Sequence, residues 1–147
     1  MGEGLAFAGQ FVAGRPTAGV DVLLVSLGST AGLRASDAAL AGSLRRAGVS
    51  VEVVTAARRR DVRTLALTDF AWAHAARAAA VEGLARWEPR AVVYSTVGAA
   101  LLWPCPGAIR YDAPAAANRP GHHGVWQRPV ERRRLVQAPR LIPGAQG

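Results

Sequence analysis

The sequence predicts an α/β fold, a parallel sheet with helices on both faces, and three observations carry that prediction. Short, near-continuous apolar runs such as Asp21–Leu27 (DVLLVSL) have strand length and no polar face, as strands covered on both sides do. Between them lie longer segments with apolar residues at helical spacing. The two kinds of segment alternate along the chain, which is the order of βαβ units joined by right-handed crossovers.

In chain order, Asp21–Leu27 is the first strand and stops at Gly28. A helix is expected from about Ala35 to Ala47, with Leu33, Leu40, Leu44, Ala41 and Ala47 on one side. Arg45 and Arg46 suit its last turn and Gly48 its stop, through the helix dipole and the left-handed cap. Val49–Thr55 (VSVEVVT) alternates and is β-branched, a second strand. A charged connection, Arg58–Arg63, leads to a helix capped by Thr68 or Asp69 and ending at Trp87, before Pro89. Its apolar stripe is expected to be Phe70, Ala73, Ala80, Leu84 and Trp87.

Ala91–Ser95 (AVVYS) is the next strand, followed by a turn at Gly98 and a short apolar segment to Trp103 that Pro104 and Pro106 break. Ala108–Tyr111 (AIRY) is a short strand ending at Asp112, and Ala113–Gly124 is a Pro/Asn/Gly loop. WQRPVERRRLVQA then reads as a helix, with Val130, Leu135 and Ala138 on one side and Arg132–Arg134 mostly on the other; RLIP starts a last strand. The whole reads as one Rossmann-like domain over 21–143, with a flexible lead-in over 1–20 and a tail over 144–147. A length of 147 residues agrees with one domain, on the prior of about 100–200 residues each.

Composition narrows the partners. No apolar run approaches the roughly 20 residues of a membrane span. The first residues lack a basic region and are broken at Gly9 and Gln10, so they do not read as a signal peptide. Cys105 is the single cysteine; no internal disulfide can form, and a cytoplasmic location is the default. The net charge of +8 rests on 18 basic residues, all arginine. Such a charge raises nucleic acid as a partner, but arginine without lysine, beside abundant alanine and glycine, also follows from GC-rich coding. The runs Arg58–Arg60 and Arg132–Arg134 have no aromatic residues interleaved for base stacking, so nucleic acid is disfavoured.

Ligands of parallel sheets gather beyond the carboxyl ends of the strands. There the sequence places Gly28, Ser29, Thr30 and Gly32, between the first strand and the first helix. Glycines let a ligand approach the backbone, and amides at a helix start attract anions. The spacing matches neither the dinucleotide fingerprint nor a P-loop, and the second strand ends in Thr55 instead of an acid that would grip a ribose. Arg34 follows closely enough to face the same crevice. Asp112 could accept a hydrogen bond from a hydroxyl or act as a base, or it could cap the turn before Pro114. No metal and no cofactor is expected: His122 and His123 are adjacent and point apart, with no third ligand at a useful spacing. His74 and Cys105 have no partner for catalysis in the sequence.

The stretch VLLVSLGSTAGLRASDAALAGSLRRAG with the following VEVVT, and the later IRYDAPAAANRPGHHGVWQRPVERRRLVQAPRLIP, resemble the N-terminal domain of GT-B-fold glycosyltransferases, of the group-one (family-four) actinobacterial type. The resemblance covers Val22 to Pro143. It implies one half of a GT-B fold, in which two Rossmann-like domains face each other across a cleft. It further implies transfer of a sugar from a nucleotide-sugar donor to an acceptor hydroxyl, the N-terminal half mainly holding the acceptor. Gly28, Ser29, Thr30 and Gly32 would line the cleft, with Asp112 across from them. The family's spaced glutamate pair is not found among Glu3, Glu52, Glu82, Glu88 and Glu131. The expectation is an acceptor-side half, truncated or split, inactive until a second domain or partner chain supplies the donor site. The alternative expectation is a stand-alone basic α/β module that binds an anionic partner such as nucleic acid.

Overall fold

The computed structural model of the chain describes residues 19–57, 65–111 and 125–144. Its elements are β1 (Val22–Ser26), α1 (Ala31–Arg46), β2 (Val51–Thr55), α2 (Leu65–Trp87) and β3 (Ala91–Tyr94), then α3 (Val97–Ala100), β4 (Ala108–Tyr111), α4 (Gln127–Gln137) and β5 (Leu141–Pro143). All strand pairs are parallel and the sheet order is β2-β1-β3-β4-β5. The α/β, Rossmann-like sheet expected from the sequence is present. Most of the lead-in and tail expected at 1–20 and 144–147, and the connection Arg58–Arg63, lie outside the described residues.

The central position of β1 follows from its composition. Leu23, Leu24 and Val25 are completely buried, which only an interior strand with both faces covered permits. Leu24 stands opposite Val53 on one side and Val93 on the other. On one face of the sheet, Leu24, Val51 and Val93 pack with Leu40, Ala41 and Leu44 of α1. On the other, Leu23, Val25, Val92, Tyr94 and Ile109 pack with α2, α3 and residues of α4. The chain leaves β1 in one direction through α1, and from β2 onward winds the opposite way. The resulting switch point lies between β1 and β3.

Small residues set how closely α2 approaches the sheet. Ala73, Ala75, Ala76 and Ala80 are buried, and a Cβ on Gly83 would stand 2.9 Å from Leu23 Cδ2 and 3.0 Å from Val54 Cγ1. Of the expected stripe, Ala73 and Ala80 are buried and Leu84 and Trp87 pack partly buried against the core, while Phe70 is 47% exposed and is the one position corrected. Two helix starts are also corrected. α1 begins at Ala31, since the Thr30 hydroxyl accepts the Leu33 N–H at 3.2 Å and caps it there. α2 begins at Leu65, so Thr68 and Asp69 lie inside it. In α4, Gln127 and Glu131 are the buried positions while Val136 is 80% exposed. Arg134 turns inward: its Nε donates to Leu101 O at 3.0 Å, and its guanidinium lies 5.2 Å from the Trp103 ring centroid.

Tyr94 ties the far face together. Its ring is completely buried beside Trp103, with centroids 5.4 Å apart, and its hydroxyl donates to Cys105 O at 2.7 Å. Burial pushes its ionisation above the ordinary phenol range, with the neighbouring Cys105 adding to the rise. The unfolded tyrosine ionises near pH 10 while the folded one resists. The stability this group contributes is therefore complete below about pH 10 and is lost as pH rises further. Urea unfolding at about pH 8 and pH 11 should show that alkaline loss, and Tyr94→Phe should flatten it at a cost of about 0.5–1.5 kcal/mol near neutrality.

Candidate functional site

After β1 the chain turns to α1 on one face of the sheet and after β3 to α3 on the other, and at such a switch point doubly wound sheets bind ligands beyond the carboxyl ends of their strands. The β1–α1 loop forms one lip. Gly28 is buried and adopts φ +60°, a left-handed conformation that favours glycine. A Cβ there would stand only 2.5 Å from Thr55 Cγ2. This turn carries Ser29, half-buried, and Thr30, exposed, to the edge of the sheet. Gly32 lies in the first turn of α1, exposed, with open space where a side chain would be; the fold itself makes no demand for glycine there.

Arg34 is brought to the same loop. Its Nη1 donates to Gly28 O at 2.9 Å, clamping the turn while most of the residue stays exposed. The other lip is the start of α3. Ser95 is buried and its hydroxyl accepts from Leu27 N at 3.3 Å, and Thr96 caps α3 by accepting from Ala99 N at 3.1 Å. The structure thus gathers Gly28, Ser29, Thr30, Gly32 and Arg34 at one edge. Asp112, His122 and His123 lie outside the described residues.

Beneath the loop runs a polar cluster that the sequence reading missed. Asp37 of α1 and Arg110 of β4 form an ion pair at 3.4 Å, with side chains only 3% and 9% exposed. The Ser26 hydroxyl donates to Asp37 Oδ2, and Arg110 Nη2 donates to the Ser36 hydroxyl. The cluster spans from β4 to the first half of α1 and fixes that helix above the switch point. One signal for it was in the sequence: Asp37 falls on the helical stripe of Leu33, Leu40, Ala41 and Leu44, and Arg110 interrupts a four-residue apolar strand.

Chemically, the edge offers hydroxyls, loop amides and an arginine, which suit a polyhydroxylated or anionic ligand. The charged pair below is already satisfied by its own partners, so its role is positioning. Among the described residues, no group of three His, Cys, Asp or Glu side chains could hold a metal ion, and no helix is long and apolar enough to cross a membrane. Comparison with protein-family models, with curated proteins and with solved structures found no match to the chain.

Proposed function

We propose that this domain is the acceptor-side half of a glycosyltransferase, which holds a hydroxyl acceptor while a sugar is moved onto it from a nucleotide-sugar donor. The observation that supports this best is the Gly28 turn at the β1/β3 switch point. It sets Ser29 and Thr30 beyond the carboxyl end of β1, with Arg34 across the turn. In this reading the donor is held by a second domain, in continuous sequence or on a partner chain. Stabilisation of the leaving pyrophosphate and of positive charge on the sugar comes from that second half. The resemblance assigns Asp112, the residue that follows β4 in sequence, to the acceptor hydroxyl. A cytoplasmic location belongs to the same reading, since the lone thiol of Cys105 calls for no oxidising compartment.

One observation favours the other reading, a basic module for an anionic partner: Arg128, Arg132 and Arg133 are all exposed on α4. A single set of NMR titrations separates the two. Simple glycosides should shift the amides of 28–30 and 95–98, with UDP-glucose and GDP-mannose binding only after a donor domain is supplied. Duplex DNA that bound tightly and lost affinity steeply with salt, with no response to glycosides, would instead establish the anionic-partner reading.

A further inference from the structure

We draw no further inference here: the strongest candidate, the surface patch between α2 and α4 where Phe70 and Val125 are exposed and the Phe70 ring meets that of Trp126, carries nothing because nothing in the structure shows what covers it.

Discussion

Arg110→Ala is expected to destabilise the protein by about 3–5 kcal/mol, the range seen when one partner of a buried ion pair is removed. Asp37 would keep its place under α1, 3% exposed, with only the Ser26 hydroxyl among the described residues to answer its charge. Against a total stability of about 5–15 kcal/mol for an ordinary domain, that loss brings the fold near its threshold. Asp37→Ala should cost a similar amount by stranding the guanidinium. A triple replacement, Asp37→Leu with Arg110→Met and Ser26→Ala, should recover most of the loss. It removes both charges together and also the serine hydroxyl that would otherwise be left buried without an acceptor, a penalty of about 1–3 kcal/mol. Urea midpoints at constant slope would measure each term. If the single variants cost no more than a surface substitution, the pair is not what seats α1 over the switch point.

The contrast between this pair and the rest of the fold shows what the sequence made legible. Strands were legible because burial on both faces leaves a near-continuous apolar run: AVVY and the core of DVLLVSL became strands within a residue or two of their expected limits, and so did AIRY despite its arginine. The start of α1 was placed too late because Gly32 argues against helix by propensity, while the Thr30 cap overrides it. The stripe of α2 holds at Ala73, Ala80, Leu84 and Trp87 and fails at Phe70, a large apolar residue that helical spacing alone turns inward. The sheet is approached through Ala76, Ala80 and Gly83, and Phe70 is left outside. The Asp37–Arg110 contact joins residues 73 apart, and no local pattern encodes such a partner. The loop lip of the site was legible from Gly28 to Arg34; the charge pair beneath it required the tertiary fold.

Gly28→Ala is the second large effect expected, about 2–4 kcal/mol from two separable causes. The first is conformational, since φ +60° costs an alanine about 1–2 kcal/mol. The second is steric, since the new Cβ would stand 2.5 Å from Thr55 Cγ2. Thr55 ends β2 and is exposed, so its methyl group can be removed without opening a cavity. Thr55→Ser combined with Gly28→Ala should therefore recover the steric part and leave the conformational part. Gly28→Asn with Thr55→Ser should lie closest to the parent, because asparagine tolerates the left-handed region better than alanine. If Thr55→Ser recovers nothing, the methyl group swings aside and the whole cost is backbone. Ligand titration of the double variant Gly28→Asn, Thr55→Ser carries the argument from fold to function. Should stability return while glycosides no longer shift Ser29 and Thr30, the missing side chain at position 28 serves the ligand, and not only the turn.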